Sequence, residues 1–568
     1  MRRFRRIRLR STDHRSFWPL LTIFFGVAAF FYWLYIPASS NTFSSSNPNK
    51  NDVCPLPPIP NPIDDGLDNS VLFERDSSLK LQVQRLSAAV NIATVIYDDN
   101  GLVKDDAQWK IFSQFHDLLE KLFPLVHQHA TREKINTYGL VYTFNGNQPL
   151  KPVVFMAHQD VVPAGNPAKW TNPPFEGYFD GQFLWGRGSG CKNNLIGVLS
   201  AVEALLKQGW SPRRTVLLAF GFDEEIGGKQ GSRHIAIHLE NRYGPDGIAM
   251  IMDEGGAGID TLGDTAYARP AITEKGYVDI ILRIVGRGGH SSRPPLHSSI
   301  GIMSEAIIEL EKYPFNPRLT MDNPLRQVLQ CQLKYSSNDV EPWLRRSLKG
   351  DEGLMGIRLA EARGSDFRFS MQTSQAIDVI SGGEKSNQLP DEVSVIVNYR
   401  VPPHDSIINI KARVARLIEP VARKHNLAIR GFGFEGEPTE KGIFVLESRH
   451  DLQPAPISPT GQSDVWLLFA GTIRKVFEDS KHLHGKTVVP VGDIMSGEYF
   501  HGSQIKANRS ANTDTVHYWN LTRNIYRFTP ARSGTLLGTH TIDERIDISA
   551  HLEGIRVYYD LIRNFDQS

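Results

Sequence analysis

Three apolar runs in this chain each end in a cluster of ionisable residues, and that arrangement narrows the fold more than any other feature. Residues 152–157 (PVVFMA) run into His158-Gln-Asp160, and residues 215–220 (TVLLAF) into Gly221-Phe-Asp-Glu-Glu-Ile-Gly-Gly228. Residues 247–252 (GIAMIM) run into Asp253-Glu-Gly-Gly256. Short β-rich runs of this kind read as strands, and residues 194–207 (NLIGVLSAVEALLK) between them carry apolar side chains at helical spacing. Strands alternating with helices predict an α/β sheet, in which sites gather at the carboxyl ends of the strands, so the three clusters are expected to converge. No repeat at solenoid or propeller periods competes with this reading.

The pattern changes from Tyr277. Val278, Ile280, Leu282 and Ile284 alternate with neighbours that include Asp279 and Arg283, and Val393, Val395, Val397 and Tyr399 alternate with Ser394, Asn398 and Arg400. Period-two patterning suits a sheet with one wet face. With helical stretches such as residues 300–312 between them, these strands predict an α+β domain inserted over residues 274–435. Residues 69–273 and 436–568 then make the two parts of the first domain, and residues 313–369 an extra helical excursion.

The amino terminus is of another kind. Lys plus Arg (63) balances Asp plus Glu (62) over the whole chain, which leaves no global basic field for nucleic acid. Residues 1–16 nevertheless hold seven Arg against Asp13 alone, a net +6 that leaves the remainder at −5. Residues 17–36 follow without a charge, about the length a helix needs to cross a ~30 Å hydrocarbon core, with Trp18, Trp33 and Tyr35 near the ends. A signal peptide is the competing reading, but the apolar run is long and aromatic for one. The expectation is a single-pass type II anchor with a cytosolic basic tail and a lumenal body. Residues 37–68, rich in Ser, Asn and Pro, read as a flexible tether. Asn508 and Asn520 begin glycosylation tripeptides, which agree with a lumenal body. Three cysteines, Cys54, Cys191 and Cys331, allow at most one disulfide, and their spacing fits no thiolate zinc finger.

The ionisable clusters suit metal-assisted chemistry. A strand-end His followed by a carboxylate two residues on is a metal ligand with its orienting partner, since a carboxylate on one ring nitrogen fixes the tautomer and raises the basicity of the other. Glu224 and Glu225 are adjacent at a strand tip and point opposite ways, so one can bind metal while the other handles protons. Asp253 offers another oxygen, and His540 stands in Gly538-Thr-His-Thr-Ile-Asp-Glu544. Each alone is as readily a solvated turn or a structural His; the set together favours a metal site.

These residues, with Trp185-Gly-Arg-Gly188, Asn512-Thr-Asp-Thr515 and Ile525-Tyr-Arg-Phe-Thr-Pro530, resemble the carboxypeptidase S family of dizinc peptidases. Its relatives include aminoacylase, glutamate carboxypeptidase and the N-acyl-amino-acid hydrolases. The resemblance runs from about residue 80 to the end. It implies a zinc-peptidase domain with a mixed central sheet flanked by helices, and an inserted lid and dimerisation domain. It also implies two zinc ions per subunit, held by His158 and Asp253 and by Glu225 and His540, with Asp160 orienting His158. Glu224 would be the general base for a metal-activated water. His290, in Gly288-Gly-His290, would reach a partner subunit's site in a homodimer, and Asn387 and Arg400 would contact substrate. The implied reaction releases a C-terminal residue from small Gly-X peptides, with N-acyl amino acids as the alternative substrates and a vacuole as the compartment.

One departure from that family is serious. Relatives read Gly-Arg-Gly-x-x-Asp-x-Lys, where the Asp bridges the metals; here Gly186-Arg-Gly-Ser-Gly-Cys-Lys192 is one residue short and holds no Asp. Weak zinc binding, lost catalysis in a tethered scaffold protein, or a codon missing from the gene each accounts for it. A second departure is Val516, where a basic residue is expected.

Overall fold

The strand Val153–His158 is buried along its whole length because it has parallel neighbours on both edges and helices on both faces. Its side chains alternate between two cores. Val153, Phe155 and Ala157 join Val216, Leu218 and Phe220 against the helices Cys191–Lys207 and Ile548–Gln567. Val154 and Met156 join Leu217 and Ala219 against the helix Ser232–Tyr243 and against Tyr518 and Leu521. This is the period-two geometry of a strand inside a covered sheet.

In this computed structural model, which describes residues 53–256, 258–495 and 512–568, the sheet has eight strands. Their order is Thr131–Ile135, Gly139–Phe144, Val216–Gly221, Val153–His158, Met250–Asp253, Ile525–Arg527, Ala271–Glu274 and Asp493–Met495. The four central strands from Val216–Gly221 to Ile525–Arg527 are parallel, while Gly139–Phe144 and Ala271–Glu274 pair with them antiparallel. The register sets His158 opposite Gly221 and Asp253 opposite Arg527, so the carboxyl ends of the parallel strands share one edge.

A second sheet has the order Ser374–Gly382, Glu392–Val401, Gly276–Gly286, Gly442–Leu452, Ala428–Gly431 and Phe434–Glu435. The helices Ser299–Lys312 and Ile407–Lys424 cover one face of it. Val393, Val395, Val397, Tyr399 and Val401 are buried while the residues between them are not, which is the alternation read from the sequence. The strand Gly442–Leu452 carries this sheet beyond residue 435. The excursion at residues 313–369 folds as helices Leu325–Tyr335, Leu344–Ser347, Glu352–Arg363 and Ser365–Met371, which pack not on the second sheet but around Tyr267, Val489 and Val491.

Residues 53–68, expected to be part of a tether, are docked on the body. Cys54 forms a disulfide with Cys331, Arg474 donates to the Pro57 carbonyl (2.9 Å), and Arg563 pairs with Asp65. The expected type II membrane protein with a lumenal, vacuolar body is also corrected. Among the described residues no helix is both long and apolar enough to cross a membrane. Ile548–Gln567 has the length, but Glu553, Arg556, Asp560, Arg563 and Asp566 interrupt it and it is packed inside the protein. The expected anchor at residues 17–36 and the acceptor Asn508 lie outside the described residues; Asn520 is exposed.

Candidate active site

The shared strand edge gathers the acids and imidazoles. His158 closes its strand with the ring buried, Nδ1 lying 3.1 Å from Asp160 Oδ1 and Nε2 lying 3.1 Å from Glu254 Oε1. Asp160 is fully buried and also accepts the backbone N–H groups of Glu224 (3.2 Å) and Glu225 (3.0 Å). One carboxylate therefore orients the imidazole and holds the short 3-10 turn Glu224–Ile226 in place. His540 enters from a distant loop with a left-handed backbone (φ 58°) and sets Nε2 at 3.0 Å from Glu225 Oε1.

Among the described residues, two groups of donor atoms lie close enough to share a cation. The ligand atoms of His158, Glu224 and Glu254 are within 4.8 Å of one another, and so are those of His158, Cys191 and Glu225. Of the expected site residues, His158, Asp160, Glu224, Glu225 and His540 are thus brought together. Asp253 ends its strand beside them, yet its carboxylate belongs to neither group, and Glu254, the next residue, takes that place. His290 and Asn387 lie together at an exposed two-stranded ribbon separate from the second sheet, where Ser291 N–H donates to the Asn387 carbonyl (3.1 Å) and His290 pairs with Gln388. Arg400 stacks on the Tyr277 ring at 4.3 Å.

Desolvation raises Glu224 well above the usual carboxyl range, and the neighbouring Glu225 and Glu254 charges add to it. Asp253 is pushed up to about 7, by burial first and by Glu254 second. Burial opposes the His158 imidazolium, but Glu254 and Asp160 outweigh it and raise the group. Asp514, from the Asn512-Thr-Asp-Thr515 segment, is also raised by burial and then by Asp223 and Asp253; its Oδ1, like Asp253 Oδ2, is buried without a hydrogen-bond partner. Acids crowded this closely repel one another, and a divalent cation would relieve the repulsion. Imidazole nitrogen with carboxylate oxygen is a donor set that zinc accepts, so the residues present fit that ion.

A cavity of about 480 Å³ opens beside these groups, lined by Glu225, Gly227, Tyr277, His450, Asn512 and Val516 among others. His450 has a left-handed backbone (φ 59°) where the register between Gly442–Leu452 and Gly276–Gly286 slips, and its ring faces Tyr277 at 5.7 Å. Sequence reasoning missed His450, Glu254 and Asp514. The last two stand in quoted motifs; His450 left no signal beyond its place in a strand.

A family model described as Peptidase family M20/M25/M40 matches residues 154–564. The chain is 39% identical to carboxypeptidase S of Saccharomyces cerevisiae over 506 residues, covering 85% of this chain and 84% of that protein. It is 28% identical to the N-fatty-acyl-amino acid synthase/hydrolase PM20D1 of Mus musculus over 498 residues, 85% and 87% of the two chains. Among solved structures, human carnosine dipeptidase 1 superposes with a TM-score of 0.56 at 14% identity, over 87% of this chain and 97% of that one. A metallo-carboxypeptidase from Sulfolobus solfataricus gives 0.55 at 16% identity, over 86% and 99%. With its site built on the strand ends that this fold shares and its sequence matched along most of its length, the chain belongs to the M20/M25/M40 metallopeptidase family.

Proposed function

We propose that the protein is a zinc-dependent carboxypeptidase that releases the C-terminal residue of small peptides; its yeast relative is named a carboxypeptidase. The observation that carries the reading is the grouping of the Glu224 carboxylate with His158 and Glu254, on a turn held by Asp160 whose next residue, Glu225, pairs with His540. His158 with Glu254, and Glu225 with His540, would hold two zinc ions. Bound there, zinc would polarise the scissile carbonyl and lower the pKa of water toward ~7. Glu224, whose carboxyl desolvation raises above the usual range, would take a proton from the attacking water and deliver it to the leaving amine. Asp160 keeps the His158 ring and the Glu224 backbone in register during that transfer.

The substrate would lie in the cavity between Glu225 and Tyr277, with Asn512 and His450 along its wall. In this reading the second sheet, from residue 274 to 452, is a lid and dimerisation domain. The exposed two-stranded ribbon within it would bring His290 and Asn387 to the site of a second copy. Arg400 serves at one remove, by fixing the Tyr277 ring that lines the cavity.

A panel of blocked Gly-X dipeptides against N-acyl amino acids of matched side chains tests the reading. Faster turnover of the peptides supports it, and faster turnover of the acyl amino acids assigns the chain to the activity named for its mouse relative. A second reading, a catalytically impaired relative, is favoured by one observation, the carboxylate-free loop between Arg187 and Lys192. It predicts a folded protein that turns over neither.

A further inference from the structure

That loop is fastened by a single carboxylate. Gly188 and Gly190 N–H both donate to Glu544 Oε1 (3.1 and 3.0 Å), and Arg187 pairs with the other oxygen of the same carboxylate. A Cβ built on Gly190 would lie 3.2 Å from Leu536 Cδ1, 3.3 Å from Glu544 Oε1 and 3.6 Å from Thr539 Oγ1. A side chain at 190 would therefore run into the fastening carboxylate itself. The next residue, Cys191, opens the buried helix Cys191–Lys207, and its thiol faces the site. Sγ lies 3.9 Å from Glu225 Oε1, falls within 4.8 Å of the ligand atoms of His158 and Glu225, and meets both the His158 and His540 side chains. Those two imidazoles are the ones assigned above to different zinc ions, so the sulfur stands between the two positions.

We infer that Cys191 Sγ is a ligand of this metal centre, set between the two ions where the loop offers no carboxylate. The inference rests on the metal-site reading above. Zinc holds sulfur at ~2.3 Å and imidazole nitrogen at about 2.0–2.1 Å, so ligand atoms on one ion fall within the separations seen here. As the sulfur–metal bond forms, the S–H bond breaks and the proton leaves to solvent; no electron is transferred. A thiolate shifts the preference of the site toward soft ions such as zinc and cadmium and away from magnesium and manganese. It also makes the centre open to oxidants, since loss of the thiolate to a sulfenic acid removes a ligand. Cys54 and Cys331 are bonded to each other, so Cys191 is the one thiol of the chain.

The test is a cobalt(II) titration of metal-depleted full-length protein, followed by ultraviolet absorption and by cobalt retained per chain. A thiolate-to-cobalt charge-transfer band should grow in step with bound cobalt, and C191S should lose the band while still retaining cobalt. In parallel, iodoacetamide should alkylate the native protein at Cys191 roughly tenfold or more slowly once zinc is added, because a coordinated thiolate is no longer a free nucleophile. The alkylation experiment needs no variant and decides the matter if C191S does not fold. Cobalt bound without the band, or alkylation indifferent to zinc, overturns the ligand role and leaves the metal reading standing. A folded protein that retains no cobalt overturns both.

Discussion

The two large sheets bury their apolar residues by different rules. In the eight-stranded sheet Val153 and Phe155 pack against one helical layer and Val154 and Met156 against the other, so no position within the strand meets water. In the six-stranded sheet only one face is covered, and polar residues sit in mid-strand. Arg283, for instance, is a third exposed and pairs with Glu447. Ionisable groups are costly inside a doubly covered sheet, so there they are expelled to the strand ends, where they crowd and perturb one another. A half-covered sheet spreads its charges over a wet face where each finds a partner or solvent. Crowded, mutually perturbing acids therefore belong to the first sheet, and paired or solvated charges to the second.

The sharpest way to break this contrast is at the strand ends. Glu224→Gln keeps the shape of the side chain and removes its proton traffic, and kcat should fall about 10²–10⁴-fold with metal content unchanged. A smaller loss, measured by steady-state kinetics with metal analysis on the same sample, would remove Glu224 from its role. Next comes a buried pair within the first sheet. Glu274 and Arg527 meet at 2.7 Å with 1% of each side chain exposed, and Thr513 N–H and Thr515 Oγ1 complete the carboxylate's bonds. Glu274→Gln should cost about 3–5 kcal/mol in a urea titration, because it strands the guanidinium in the interior.

Acid should act on the same lobe. Burial pushes His551 down to about 3 and His116 down to about 4. Both rings stay neutral in the folded protein while the unfolded chain protonates them near 6.5. Their contribution is full above that pH and is lost as the pH falls through 6.5 toward 4 and 3, on the order of a few kcal/mol. Urea midpoints measured between pH 7 and 4 should fall accordingly, and H116Q should flatten part of the decline. The smallest effect lies on the wet sheet, where Arg283 pairs with Glu447 and is a third exposed. Arg283→Ala should change stability by less than about 1 kcal/mol, and a larger loss would show that this face is less open than its burial pattern says.

The contrast also explains what could be read from the sequence. The ends of VVFMAH, VLLAFG and MIMD announced the site because a strand that stops at a charge cannot continue inward. The alternation from Val393 to Val401 announced a half-covered sheet for the same reason. The choice of Glu254 over Asp253 was hidden, since neighbouring residues on a turn differ only in direction, and direction follows from backbone angles that composition does not carry. Asp514 joins the acids from a segment far along the chain, and residues 53–68 look like a tether by composition although a disulfide to Cys331 and two arginines hold them down. The orientation of Cys191 was equally hidden, because it depends on Glu544 gripping the preceding glycines.

The most direct test of the central claim, that the strand-end acids and imidazoles form a hydrolytic metal centre, is release of leucine from a blocked Gly-Leu dipeptide by chelator-treated protein as zinc is returned. The account predicts no release in the chelated state and recovery that saturates as the centre fills. Undiminished release in the presence of chelator, or a folded protein that stays inert at saturating zinc, would contradict it.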